Sequence, residues 1–305
     1  MYKKYLTVIL AACLMCAGCS NTANEPVDEE SVLTNSQNTE ESVTTVSDEN
    51  NTEANYHSLS EVESAINAKY SGETLQYPSS DENFEYNVYE SYIQITKYIG
   101  NNDEVVFPST IDGLPVRIIG SNSDELWVID REKTPVKSIV IEPGIEIICH
   151  HALSCQGYLD ESGKLHDFSG VMKSISLPEG LLYIGREAFY ACGGLTELNL
   201  PETLQGIGDD AFCSAFADNA KVSVTIPESV VGIGTGAFNS QRNSLSDITI
   251  LNRNTELCTT SFSGMSGNII SDKADGNEIT VHGYAASTAA QLAADTRQKF
   301  IVIKE

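Results

Sequence analysis

Two markers recur in step along this chain, and nothing else in it restricts the fold as tightly. The first is a short alternating strand closed by proline: residues 173–178 read KSISLP, 196–201 TELNLP and 223–227 SVTIP, with ITILN at 248–252 and an earlier SIVIEP at 138–143. The second is an Ile-Gly followed by Ala-Phe, at Ile184-Gly185 with Ala188-Phe189, Ile207-Gly208 with Ala211-Phe212, and Ile233-Gly234 with Ala237-Phe238. Pro178, Pro201 and Pro227 are separated by 23 and 26 residues, and Ala188, Ala211 and Ala237 keep the same two separations. A unit in the twenties of residues cannot bury its own apolar face. It must stack on copies of itself, so the expectation is a solenoid.

Strand alternation sorts the residues of each unit. Ile139/Ile141, Ile175/Leu177, Leu198/Leu200, Val224/Ile226 and Ile248/Ile250 are expected to form two inward apolar ladders. Proline ends each strand because it has no N–H to donate. Glycine after the second-element Ile is expected to permit a tight or left-handed turn, while Ala-Phe supplies close approach and a ring to fill the coil. The outward positions are then Lys173, Ser174, Ser176, Thr196, Glu197, Asn199, Ser223, Thr225, Asp247 and Thr249. They form the candidate binding face. They are small and polar with no aromatic among them, which favours a protein partner held by hydrogen bonds over stacked sugars or bases.

These motifs resemble the BspA-type leucine-rich repeat family of bacterial surface proteins. The closest unit runs from Leu177-Pro178 through Ile184-Gly185 and Ala188-Phe189 to Cys192 and Leu195. The resemblance covers about 83 to 305, including a lead-in at 111–116 (IDGLPV) and a tail from Val281-His282-Gly283-Tyr284 to residues 300–303 (FIVI). It implies a right-handed coil with a strand sheet on one side, so the expected fold is a solenoid, mainly β with short turns and helical pieces and a C-terminal cap, to which the residues upstream add a short N-terminal helix. It also implies a lipid or cell-wall anchor and binding or adhesion in place of catalysis. The end copies are degenerate, with Ala152-Leu153 and Ser261-Phe262 in the Ala-Phe slot, as a capped array requires. Two stretches interrupt the pattern, 120–135 and 156–170.

Upstream of the repeats the chain changes character twice. Residues 1–19 (MYKKYLTVILAACLMCAGC) carry two lysines, an apolar run and small residues before a cysteine, the pattern of an export signal too short to span a bilayer. Cys16-Ala17-Gly18-Cys19 resembles a bacterial lipoprotein box, which makes Cys19 the expected lipidated residue and the membrane a partner. From Ser20 to Tyr56 there are nine Asp/Glu and no Lys or Arg, so little apolar surface is available to offset ordering entropy. The expected divisions are a signal peptide at 1–18, an acidic tether at 19–56, a helix and linker at 57–82, capping strands and a first coil at 83–135, repeats at 136–276 and a cap at 277–305. Within 57–82 a capping box at 60–63 (SEVE) and the stripe Leu59, Val62, Ile66, Tyr70 predict a helix over about 58–70. Residues 84–88 and 92–96 read as a hairpin, and Val105-Val106-Phe107 as a third strand.

Chemistry is harder to find. Cys149-His150-His151, Cys155 and His166 are metal-ligand types at short spacing, but they lack a pair of pairs and no metal is expected there. The Cys149 and Cys155 thiols are expected to be buried hydrophobes. With the signal cysteines removed and Cys19 acylated, Cys149, Cys155, Cys192, Cys213 and Cys258 remain, an odd set for which no structural disulfide is expected. The glycines of Gly232-Ile233-Gly234-Thr235-Gly236 belong to the repeat and lack the strand–helix context of a phosphate loop. No catalytic residue and no cofactor is assigned. The balance of 18 Lys+Arg against 43 Asp+Glu gives a net charge of -25, which disfavours nucleic acid as a partner. The reading is a monomeric, lipid-anchored cell-surface lipoprotein whose coil binds protein. The alternatives are a structural spacer with no dedicated ligand and, least favoured, an enzyme or its regulatory partner.

Overall fold

An N-terminal helix lies across a stack of short parallel strands in the computed structural model. It describes residues 56–121, 127–129, 136–159, 162, 164–166, 170–240, 244–259, 267–273 and 276–304. Residues 1–55, where the signal peptide, Cys19 and the acidic tether are expected, lie outside the described residues, as do Ser261-Phe262 and most of 122–135. Residues Tyr56–Glu305 form one compact unit.

The chain begins with α1 (Leu59–Ser71), followed by β1 (Tyr77–Ser80), β2 (Phe84–Val88) and β3 (Ile93–Tyr98) in antiparallel order. The helix cap lies slightly upstream of where the 60–63 pattern places it. Ser58 is the N-cap, and its hydroxyl accepts from Glu61 N–H at 3.2 Å while the Glu61 carboxylate accepts from His57 N–H at 2.7 Å. Next come β4 (Glu104–Phe107), β5 (Thr110–Ile111) and β6 (Leu114–Ile119). The 105–107 strand does not extend the hairpin. It pairs in parallel with β7 (Ser138–Ile141), so it is the first strand of the array. Phe84 packs on Phe107 and Tyr98 with ring centroids 5.4 and 5.5 Å apart, which closes the N-terminal end of the core.

The remaining elements are β8 (Ile147–Ile148), β9 (Tyr158–Leu159), β10 (Leu165–His166), β11 (Ser174–Ser176), β12 (Tyr183–Ile184), β13 (Gly206–Ile207), β14 (Val222–Ile226), β15 (Gly232–Ile233), β16 (Leu245–Ile250), β17 (Glu256–Leu257), β18 (Thr280–Gly283), α2 (Thr288–Asp295) and β19 (Lys299–Val302). The 156–170 interruption contains the small hairpin β9–β10. The tail contains a helix, α2, that the repeat pattern did not announce. It buries Ala289, Leu292 and Ala293 against the last coil.

The Ile of each Ile-Gly pair ends a strand of a parallel ladder: β8, β12, β13, β15 and β17 pair in sequence, continuing β6, β3, β2 and β1 into one sheet. The Gly then opens the expected tight turn, with Ala188, Ala211 and Ala237 N–H donating to Gly185, Gly208 and Gly234 O at 3.2, 3.3 and 3.3 Å, but these glycines are not left-handed. The glycines after Ile are there for space. A Cβ at Gly208 would stand 2.5 Å from Arg186 N and 2.8 Å from Gly185 C, and one at Gly185 would stand 2.8 Å from Cys149 C. The left-handed residues come two positions later, at His151, Glu187, Asp210 and Gly236, with φ of 55, 54, 53 and 71°. The Glu187 and Asp210 N–H groups donate to Asp209 O and Thr235 O of the next coil at 2.8 and 2.9 Å, which offsets the strain of that backbone.

Phe189, Phe212 and Phe238 are fully buried and stack face to face, with centroids 5.2 and 5.5 Å apart and interplanar angles of 6 and 10°. Ala188, Ala211 and Ala237 are fully buried beside them. Of the expected ladders, Ile139/Ile141, Leu198, Val224/Ile226 and Ile248/Ile250 are buried, whereas Ile175, Leu177 and Leu200 are only half-buried. The cause is a break in the proline-ended sheet, because residues 196–200 form no strand. Proline to phenylalanine is 11 residues in all three units, so the three extra residues of the longer unit fall after Phe212. They are absorbed before Val222, where Asn219 and Lys221 have positive φ, and a single-residue bridge, Leu195–Phe216, stands there in place of a paired strand. The sheet is therefore two pieces, β4-β7-β11 and β14-β16-β18-β19.

Asp210 stands in the left-handed column beside Glu187 and Asp209. Burial, then those two carboxylates, push its pKa up to about 6. The native state thus holds a proton that the unfolded chain releases near 4, so stability falls as pH rises from about 4 to 6. Asp210→Asn removes that loss, and asparagine tolerates the positive φ. Urea titrations at pH 7 are expected to show a gain of about 1–2 kcal/mol, allowing for screening at this half-buried site, and no gain at pH 4.

Candidate binding face

The outward side chains of the two sheet pieces make two patches. On β14, β16, β18 and β19 the registers align Ser223, Asp247, Thr280 and Lys299 in one row and Thr225, Thr249, His282 and Ile301 in the next. Thr225 is exposed and Thr249 half-exposed, while Ile226 and Ile250 behind them are fully buried. On β4, β7 and β11 the rows are Glu104, Ser138, Ser174 and Val106, Val140, Ser176. Lys173 and Ser176 are exposed and Ser174 half-exposed. Thr196, Glu197 and Asn199 are exposed too, but on the unpaired segment between the patches. The ten sequence-predicted positions thus do not form one continuous sheet face.

Two side chains that the sequence pattern alone did not single out change the chemistry of the first patch. Val106 is 50% and Val140 42% exposed, and they are register partners. The signal was present in the unbroken apolar runs of β4 and β7, whose middle residue must point out if its neighbours point in. The second patch gains His282 and Ile301 from the tail.

Asp247 organises the second patch. Its Oδ1 lies 3.0 Å from His282 Nε2, and its Oδ2 accepts from Ser246 Oγ at 2.7 Å and Ser223 Oγ at 3.4 Å. Burial pulls its pKa up, but the hydrogen bonds from His282 and Ser246 outweigh it and hold the carboxyl below its usual range. Serine, histidine and aspartate are all present, yet both hydroxyls go to the carboxylate and the imidazole bonds that same carboxylate. A nucleophilic relay needs the order hydroxyl, imidazole, carboxylate. The network fixes side chains on a surface.

The cysteine and histidine cluster is spread through the coil. Cys149 and Cys192 are buried, whereas Cys155, expected to be interior, is half-exposed along with Cys213 and Cys258; none of the five is in a disulfide. Burial pushes the Cys149 thiol up to about 12, far from a reactive thiolate. His151 Nδ1 lies 3.1 Å from Glu187 Oε2. Among the described residues no group of three or more His, Cys, Asp or Glu is placed to hold a metal ion.

A family model described as "BspA type Leucine rich repeat region (6 copies)" matches residues 166–288. This stretch is a BspA-type leucine-rich repeat region. The BspA-type region takes in the stacked phenylalanines, β11 to β18 and the start of α2. Among solved structures, a leucine-rich repeat protein of T. pallidum is 28% identical, with 57% of this chain and 71% of that one covered and a TM-score of 0.43. A leucine-rich cell surface protein of Faecalibacterium prausnitzii is 20% identical over 70% of this chain and 52% of its own, with a TM-score of 0.46. A leucine-rich repeat protein of Bacteroides ovatus is 20% identical over 58% and 50%, with a TM-score of 0.42. A search of curated proteins returned no match. Leucine-rich repeat arrays in general offer an extended surface for protein–protein interaction. No helix among the described residues is long and apolar enough to cross a membrane.

Proposed function

We propose that this is a cell-surface lipoprotein, acylated at Cys19, whose BspA-type coil binds a protein partner through its outward sheet face and catalyses no reaction. The observation that carries the binding half is the exposed Val106–Val140 pair, set beside polar rows on β4 and β7, whose inward residues Val105, Phe107, Ile139 and Ile141 are buried. A small apolar centre rimmed by Ser138, Ser174 and Ser176 is the composition of a protein contact, with an anchor and satisfied edges. Acylation at Cys19, in two chains, supplies a stable membrane hold where a single chain binds only marginally.

One experiment with two arms tests it, using the full-length chain expressed in a bacterial host. Wild type is expected to partition into detergent and to bind immobilised matrix proteins or partner-cell surfaces. Cys19→Ser is expected to lose detergent partitioning and keep binding; Val106→Lys with Val140→Lys is expected to keep partitioning, keep its melting temperature and lose at least tenfold in binding. Unchanged partitioning of Cys19→Ser sinks the anchor. Binding absent in wild type, or equal in the double lysine variant, replaces the proposal with a spacer that has no ligand on this face.

A further inference from the structure

Between α1 and the Ile-Gly ladder lies a cavity of about 250 Å³, lined by none of the outward sheet-face residues. Its walls include Glu63, Ile66 and Tyr70 from the helix, Ile118 and Ile147 from β6 and β8, and Tyr183 from β12. The helix is pinned over it by charge-assisted bonds. Leu59 N–H donates to Glu256 Oε2 at 2.7 Å, Tyr70 O–H donates to Glu146 Oε2 at 2.7 Å, and Lys69 pairs with the same Glu146 carboxylate. Arg117 Nη1 reaches Glu146 Oε1 at 3.7 Å, so both nearby cations are engaged by one acid. The Tyr70 ring is held edge-on to Tyr92 at 4.8 Å, and Tyr92 stacks on Tyr89 at 4.5 Å.

Glu63 is the group this arrangement leaves with capacity. Its Oε1 accepts the Tyr183 phenol at 2.6 Å, and among the described residues that is its hydrogen-bond partner. Burial, then the Glu63 charge, raise the Tyr183 pKa, so the phenol stays a donor at neutral pH. A carboxylate with an open oxygen in a partly apolar cleft gains most from a cation. The neighbouring tyrosine rings favour the same sign of charge. Ile66, Ile118 and Ile147 offer contact to a methylene chain, as the stem of a long amine requires. The chain's net charge of -25 raises the local concentration of such ligands.

We propose that the cleft between α1 and the Ile-Gly ladder binds an aliphatic ammonium group, carried by a free alkyl diamine or by a lysine side chain of a peptide, with Glu63 as its counter-ion.

The test is calorimetric titration of the full-length protein at 150 mM salt with cadaverine, with the peptide acetyl-Gly-Lys-Gly-amide, and with 1-pentanol as an uncharged stem. Saturable one-site binding is expected for at least one of the two amines, with pentanol at least tenfold weaker. Glu63→Gln can still accept the Tyr183 phenol, so it is expected to keep the melting temperature while losing at least tenfold in affinity. Ile147→Trp, which fills the cavity and leaves the carboxylate intact, is expected to block binding as well. Binding of cadaverine alone assigns a free amine; binding of the peptide, with or without cadaverine, assigns a lysine side chain. No saturable binding of either amine, equal affinity in Glu63→Gln, or equal affinity for pentanol overturns the proposal.

Discussion

Phe212→Ala is expected to destabilise the folded unit by about 3–5 kcal/mol, the range for removing a fully buried ring. Phe212 is the middle ring of the column, 5.2 Å from Phe189 on one side and 5.5 Å from Phe238 on the other. Its removal therefore costs the transfer energy of one side chain and a stacking contact on each face, and leaves a cavity that two neighbouring coils must share. Backbone bonds constrain any collapse, since Phe212 N–H donates to Ala237 O and Phe189 N–H to Ala211 O, both at 2.8 Å. In a one-dimensional array the loss appears in both adjoining interfaces. Thr225→Ala and Thr249→Ala, on the outward rows, are expected to shift stability by no more than about 0.5 kcal/mol. Urea denaturation of the three variants checks the contrast.

Gly208→Ala is expected to cost about 3 kcal/mol, the upper end of the range for overpacking. What its Cβ would strike is backbone, with Arg186 N at 2.5 Å, Gly185 C at 2.8 Å and Arg186 Cα at 3.0 Å, so no side chain can swing away. Relief requires the two coils to separate, and that would lengthen the ladder bonds on either side of Gly208, including its own N–H to Ile184 O at 2.8 Å. Gly72 provides the control. It is the C-cap of α1 at φ -83°, and a methyl group there would meet nothing within 4 Å, so Gly72→Ala is expected to be neutral or to stabilise by about 0.4–1 kcal/mol through the unfolded state. Thermal and urea unfolding of both variants separates crowding from a general intolerance of alanine for glycine.

The column of phenylalanines and the alternation of strands were legible because each rests on local spacing. Pro178 and Pro227 follow β11 and β14, Pro201 follows the unpaired segment 196–200, and each phenylalanine comes at a constant interval after its proline. The role of Gly185, Gly208 and Gly234 was not legible, because close approach between coils is a property of the stack and a glycine reads the same way for space as for a turn. The failure of residues 196–200 to pair has a similar origin. Their own sequence, TELNLP, is a good strand, and the obstacle is three residues added after Phe212 in the next coil. The binding face was legible in part. Thr225, Thr249, Ser223 and Asp247 stand where alternation puts them, and Val140 follows from Ile139 and Ile141 pointing in, but Val106 required knowing that β4 belongs to the array. His282 and Ile301 join it only through the register of the tail, for which the repeat markers give no guide. Gly206 and Gly232 were beyond reach for another reason. They face α1, and a Cβ at Gly232 would stand 2.5 Å from Leu59 N, a contact between residues far apart in the chain.

The claim that stability here is carried coil by coil is tested most directly by double-mutant cycles on the ring column. The account predicts coupling of at least about 0.5 kcal/mol between Phe189→Ala and Phe212→Ala, and again between Phe212→Ala and Phe238→Ala, because each pair is in contact. It predicts additivity within about 0.3–0.5 kcal/mol for Phe189→Ala with Phe238→Ala, which are separated by the Phe212 ring. Additive behaviour in the two adjacent pairs, or coupling of the outer pair as strong as theirs, would contradict it.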